Sequence, residues 1–476
     1  MRQKNKLHFI YNCSFPLAVV HLILVLGTIS CKKMVQINEP VNSITTTEVF
    51  STVGTATQAV TSIYNNFTSA NSIFGFGNGA ITSLTGLSAD ELKYFLSDPD
   101  ITQFQTNTLT SDNSTNLDEI WTGGYFSLYQ CNATIEGLEN SISLPDSIKN
   151  ELIGEAKFLR AFVNFYLTNL YGNIPLLTTT SFKLNSNISQ TPSSIILDQI
   201  IGDLKDANNL LPVSYLQFWN RPTRATKAAA IALLSRVYLF KKDWVNAELQ
   251  ATSIITNSDF ALETRKNVFL RNSKEAILQF QIDSTQNPYA LAEPFYFFPA
   301  NRTRFPQYYL TNELLNAFEA GDLRRVDWVD STIYQGVTYY VPAKYKTRFG
   351  VANSTPKEYY VVLRLAEQYL IRAEAKAQQN KLSEAVLDLN IIRGRAGLPP
   401  LSNNLGQAQV LQAIAQENRI EFFTEWGHRW LDLKRTGQAD NALSPIKSAW
   451  NSTSVLYPIP LSELQKNPNL TQNNGY

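Results

Sequence analysis

Two stretches of this chain share one plan, and that plan narrows the folds open to it. Residues 224–255 (RATKAAAIALLSRVYLFKKDWVNAELQATSII) read as a long Ala-rich helix, a break at Lys241–Asp243 and a second helix. Residues 359–398 (YYVVLRLAEQYLIRAEAKAQQNKLSEAVLDLNIIRGRAGL) repeat it, with the break near Gln379–Leu382. Small alanines facing large aliphatics let paired helices approach closely. Ala247 and Ala385 sit just after each second helix begins. Each pair has roughly the 34 residues of a tetratricopeptide (TPR) unit. Hairpins stacked in this way make a scaffold whose faces present loops.

The rest of the chain fits a mainly α fold of this kind. TATQAVTSIYNNF (55–67) places Ala59, Ile63 and Phe67 four apart, and 120–140 continues the pattern. ELIGEAKFLRAFVNFYLTNLYG (151–172) carries one broad apolar stripe through Leu152, Ala156, Leu159, Phe162 or Val163, Tyr166 and Leu170. Gly172 and Pro175 mark its end. Residues 193–212 form another amphipathic helix ending at a proline. Two segments break the helical rhythm, about 68–118 and 265–358. The first is rich in Ser, Thr, Asn and Gly; the second in Tyr, Phe, Pro and Asn, with β-like runs at 276–282 and 338–345. Both read as loop-rich insertions, where binding residues concentrate on a rigid frame.

The beginning of the chain reads as an export signal. Arg2, Lys4 and Lys6 precede an apolar run from Leu17 to Ile29, then Ser30 and Cys31. The expected division is a lipoprotein signal peptide at 1–30, a lipidated tether at 31–45 with Cys31 acylated, and a single domain at 46–476. An ordinary secretory signal with a chance cysteine is the alternative. The 41 basic and 40 acidic residues nearly cancel, which leaves no electrostatic footprint for nucleic acid. With Cys13 removed and Cys31 lipidated, Cys131 is alone, without an intrachain disulfide, and reads as a buried small hydrophobe.

Several segments resemble the SusD/RagB family, nutrient-binding outer-membrane lipoproteins of Bacteroidetes. EAKFLRAFVNFYLTNLYGNIPLL (155–177) is similar to its helix followed by Tyr-Gly and a proline. LRLAEQYLIRAEAKAQQNKLSEAVLDLNIIRGRAGLP (363–399), ENRIEFFTEWGHRWLDLKRTG (417–437) and YPIPLSELQKNPNLTQNNGY (457–476) resemble its later motifs, in order. The resemblance implies a TPR-like helical frame with a loop-rich ligand face and no enzymatic activity. It implies a SusC-like TonB-dependent transporter as partner, an outer-membrane lipid anchor, and an oligosaccharide, or less often a peptide, as cargo. No cofactor or metal is implied.

Each chemical motif has a plainer reading beside it. Glu417, Glu421 and Glu425 are four apart and share a helix face. A glycosidase needs carboxylates opposed across a substrate, so a solvated or salt-bridged face with Arg419 and Arg429 is expected instead. His428 is read as structural. Asp322, Asp327, Asp330 and the SDPD run at 97–100 lack EF-hand spacing and read as solvated loops. GFGNG (75–79) lacks the lysine of a phosphate loop and reads as a flexible surface turn. Aromatics in the insertions remain, because sugars present C–H faces that pack on rings. The candidates are Phe76, Tyr94 and Phe95; Trp219, in a loop before a helix; and Tyr289, Phe295, Tyr296, Tyr308 and Tyr309. Gln286, Asn287 and Arg302 are the polar neighbours considered. The rival readings are a TPR-like scaffold that contacts only proteins and a surface glycoside hydrolase.

Overall fold

In the computed structural model the described residues are 46–68, 75–215, 218, 221–282, 290–299, 301 and 303–476. The expected signal peptide, Cys31 and the tether lie outside them. The unit Val49–Tyr476 opens with helices α1 (Val53–Asn66), α2 (Ala80–Ser88), α3 (Gly123–Glu139) and α4 (Asp146–Tyr171). It continues through α5 (Ser193–Leu210), α6 (Lys227–Phe240) and α7 (Trp244–Ile255). The later helices are α8 (Leu365–Gln378), α9 (Leu382–Ala396), α10 (Gln407–Glu421) and α11 (His428–Arg435). From α3 to α9 each helix packs on its successor, with α7 against α8 joining the two hairpins, and α10 packs back on α8.

The alanines explain the close stacking. Ala229, Ala230 and Ala232 of α6, Ala373, Ala375 and Ala377 of α8, and Ala247 and Ala385 are all fully buried. The two hairpins also turn alike. Lys242 and Asn380 adopt φ of 61° and 62° at matching breaks, the left-handed step that ends one helix and starts the next. Asp243 then caps α7 by accepting from Asn246 N at 3.2 Å.

Helix α4 is the centre of the core, as its stripe predicts. Phe162 meets Phe67, Tyr166, Phe280 and Trp426 with ring centroids 5.0–6.1 Å apart. The chain terminus closes over the end of this helix. Tyr457 N donates to Leu170 O at 2.9 Å, and Asn473 Nδ2 donates to Tyr171 O at 2.9 Å. Gly172, with φ of 77°, lets α4 stop there. Cys131 is buried, which pushes its thiol up to about 12.

The strands form antiparallel pairs: β1 (Leu92–Tyr94) with β3 (Tyr308–Leu310), β2 (Ala276–Phe280) with β6 (Tyr360–Arg364), and β4 (Val329–Tyr334) with β5 (Val337–Pro342). Residues 360–364 differ from the helical plan expected for 359–398. Tyr360, Val361 and Val362 favour extended backbone, and all five residues of β6 are buried beside β2. The β4–β5 turn has Gln335 and Gly336 at φ of 48° and 78°, both positive as a two-residue hairpin of this twist needs.

Candidate ligand-binding site

Pairing of β1 with β3 brings the two insertions together. Tyr94 stands opposite Tyr308 and Lys93 opposite Tyr309, and Phe95 N extends the ladder to Gln307 O at 2.9 Å. The first insertion is braced locally. Gln105 Oε1 accepts from Tyr94 N at 2.6 Å. Asp98, expected in a solvated loop, caps the helix Pro99–Thr106 by accepting from Asp100 N and Ile101 N.

Successive strand residues face opposite ways, so Tyr94 and Phe95 serve different clusters. Tyr94 lies on Tyr308, centroids 5.0 Å apart, and Tyr296 meets Tyr308 at 6.4 Å. Phe95 stacks on Phe305 at 4.8 Å and 10°. Tyr334 and Tyr339 of the β4–β5 hairpin close edge-on against Phe95 at 5.8 and 5.5 Å, and Tyr309 meets Tyr339 at 5.1 Å. From Tyr296 the contacts continue to Phe295 at 5.4 Å and on to Phe349 at 5.6 Å. Most of these rings are half-buried. A cleft of about 420 Å³ adjoins them, lined by Phe298, Asn301, Ser331 and Arg348 among others. Burial raises the Tyr94 and Tyr296 phenols, the latter to about 12, so both stay protonated donors. Flat apolar faces with hydroxyl donors at their edges suit a ligand that is part C–H surface and part hydroxyl.

Two sequence models match the chain. One, of the SusD family, covers residues 325–476; the other, described as starch-binding and associating with outer membrane, covers 77–239. A SusD-like protein of Formosa agariphila is 23% identical, covering 97% of this chain and 99% of its own. A SusD superfamily protein of Bacteroides vulgatus superposes with a TM-score of 0.78 at 22% identity, over 90% of this chain and 100% of that one. Surface glycan-binding protein A of Bacteroides fluxus does so with a TM-score of 0.72 at 22% identity, over 90% and 100%. The chain belongs to the SusD/RagB family.

The SusD/RagB motif at 417–437 builds a buried ionic core, not a solvated face. Glu417, Glu421 and Glu425 are 1%, 0% and 6% exposed. Arg364 donates to Glu421 at 2.5 Å, Glu425 at 2.9 Å and Glu275 at 3.0 Å. Arg324 reaches both Glu417 and Glu421, and Arg395 reaches Glu421. Lys344 donates to Glu425 at 2.5 Å. The expected partners Arg419 and Arg429 converge instead on Asp90, at 2.6 and 2.7 Å. Their cations face a different element because Glu417 and Glu421 point inward from α10. His428 stacks on Phe422 at 4.5 Å. Burial and the surrounding cations hold its pKa well below the usual value, so it is neutral at pH 7.

The expected site residues divide three ways in this SusD/RagB chain. Tyr94, Phe95, Phe295, Tyr296 and Tyr309 lie in the two aromatic clusters described above. Phe76 does not: it is 4% exposed and packs beneath α4 against Phe67 and Tyr166. Tyr308 is 3% exposed and supports Tyr94 from below. Trp219, Gln286, Asn287, Tyr289 and Arg302 lie outside the described residues. GFGNG is buried rather than a surface turn, with Phe67 filling the space a Gly77 side chain would take. Asp322 and Asp327 are not solvated either; they pair with Arg324 and Arg265. Phe305, Tyr334, Tyr339, Arg348 and Phe349 were missed by sequence reasoning. The β-like run TYYVPAKY pointed to Tyr339's strand, but nothing local marked what it packs on.

Proposed function

We propose that this protein is a non-catalytic, cell-surface lipoprotein, acylated at Cys31. It binds an extracellular oligosaccharide and delivers it to a SusC-like TonB-dependent outer-membrane transporter. Two aromatic clusters set on β1 carry this reading: Phe95 with Phe305, and Tyr94 with Tyr296 and Phe295 around Tyr308. Rings held on a stacked helical frame present flat faces at little entropic cost, which favours saccharide C–H faces. The ligand class and the location are supported by similar proteins, which are starch-binding and associating with outer membrane, or surface glycan-binding. A hydrolase reading finds no support in Glu417, Glu421 and Glu425, whose oxygens are committed to buried cations and are not opposed across an open cleft.

Two measurements test the proposal. A C-terminally tagged full chain, recovered from gently solubilised outer membranes, is expected to bring down a TonB-dependent barrel, and a Cys31→Ala control to lose it. Calorimetry with an oligosaccharide panel and a mixed peptide pool is expected to give heat with saccharides. Heat with peptides alone, or recovery of periplasmic proteins without a barrel, would overturn the proposal.

A further inference from the structure

Among the described residues, Arg348 carries a charge without a counter-ion. Its guanidinium sits in the corner formed by two perpendicular rings, with Cζ 4.9 Å from the centroid of Phe295 and 4.3 Å from that of Phe349. Nε donates to Phe298 O at 2.6 Å. Nη1 is buried and has no acceptor. More deeply buried arginines meet carboxylates, Arg160 with Asp203, Arg236 with Glu367 and Arg435 with Glu374, while Arg271 shares with Arg348 a buried Nη1 that has no acceptor. Asp327 and Asp330 of the same cleft, and Glu358, which holds the backbone just before Arg348, are otherwise engaged. Asp327 pairs with Arg265. Glu358 accepts from Lys346 N at 2.9 Å and Thr347 N at 3.0 Å. Asp330, which also lines the cleft, has a partner of its own. Burial alone pulls the Arg348 pKa down, and no carboxylate pushes it back.

The surroundings have the form of a site. The cleft of about 420 Å³ falls in the ~300–1,000 Å³ range usual for small ligands. Lys346, two residues earlier on the same wall, adds an exposed ammonium. Phe295, which stacks on Arg348, is also the last ring but one of the aromatic surface. A half-buried guanidinium with one unmet donor and no carboxylate beside it favours an anion, and a planar fork packed against rings is held in one orientation for an oxyanion.

We infer that this cleft is a subsite for an anionic group on the glycan, a uronate carboxylate or a sulfate ester, held by Arg348 with help from Lys346. The inference rests on the glycan-binding reading above and narrows it to acidic saccharides.

The test is calorimetry on the full chain in a neutral detergent, with four tetrasaccharide probes. These are a galacturonate, its methyl ester, a sulfated galactan and an unsulfated galactan. One charged probe is expected to bind at least about tenfold tighter than its neutral counterpart, as a charge-assisted hydrogen bond allows. Which charged probe shows the gap separates carboxylate from sulfate. Salt is expected to shrink the gap. Arg348→Gln is expected to bring the charged-to-neutral ratio close to one, and Arg348→Lys to keep part of it. Because the readout is a ratio within one protein, a general loss of fold does not imitate it. Equal binding of charged and neutral probes, or a ratio untouched by Arg348→Gln, would overturn the inference while leaving glycan binding intact. Binding of no probe by the wild type would overturn both.

Discussion

Arg364 on β6 donates through Nε to Glu425, just past α10, at 2.9 Å, and neither side chain is more than 6% exposed. The bond ties the strand pair β2–β6 to the turn that launches α11. Arg364 also serves Glu421 and Glu275, so its removal takes one cation away from three buried carboxylates. Arg364→Met is expected to destabilise the fold by about 3–5 kcal/mol, read as a fall in the denaturant midpoint. A loss well under ~1 kcal/mol would show that the network is replaceable.

Glu91 predicts a stability that declines towards alkaline pH. Burial first, and then the charge of Asp90, push its carboxyl from 4.5 up to about 8. Its folded pKa therefore lies above its unfolded one. The contribution is full below about 4.5 and is lost as pH rises through about 8. Glu91→Gln keeps an acceptor for Thr424 N, now 3.3 Å from Oε2. Melting temperatures across this window are expected to fall less steeply for Glu91→Gln than for the wild type. Parallel curves would assign the slope to other groups.

Gly77→Ala tests the buried turn before α2. A Cβ there would come within 2.3–2.8 Å of Phe67 atoms, and Phe67 is itself locked by stacking on Phe280 at 5.0 Å. The expected cost is about 1–3 kcal/mol of overpacking, measured by chemical denaturation. A neutral result would mean that the ring has room to yield.

Phe95→Ala removes the ring on which Phe305, Tyr334 and Tyr339 converge. Its position at the edge of the body, half-buried, separates binding from folding. Saccharide affinity is expected to drop about tenfold, equivalent to ~1.4 kcal/mol, with little change in the circular dichroism melt. Unchanged affinity would place the ligand elsewhere.

The helices were legible because their signal is local. The stripe of 151–172, the stop at Gly172 and the breaks at Lys241–Asp243 and Gln379–Leu382 all appear where the periodicity puts them. Tyr360–Arg364 was misjudged because a short buried run of Tyr, Val and Leu suits either element, and only the partner strand β2 decides it. Spacing put Glu417, Glu421 and Glu425 on one helix face, but α10 stops at Glu421 and Glu425 falls in the turn beyond it, and spacing cannot say whether such a face meets water or arginine. Their partners Arg324, Arg364 and Arg395 come from three separate elements.

The same division holds for the aromatic surface. Composition located the rings in two insertions, since side-chain type and turn residues are local properties. Tertiary structure alone decided that Tyr94 meets Tyr308, that Phe76 goes inside, and that Arg348 is left without a carboxylate. Those outcomes depend on a strand register and a core closed by segments hundreds of residues apart, which no periodicity within either segment encodes.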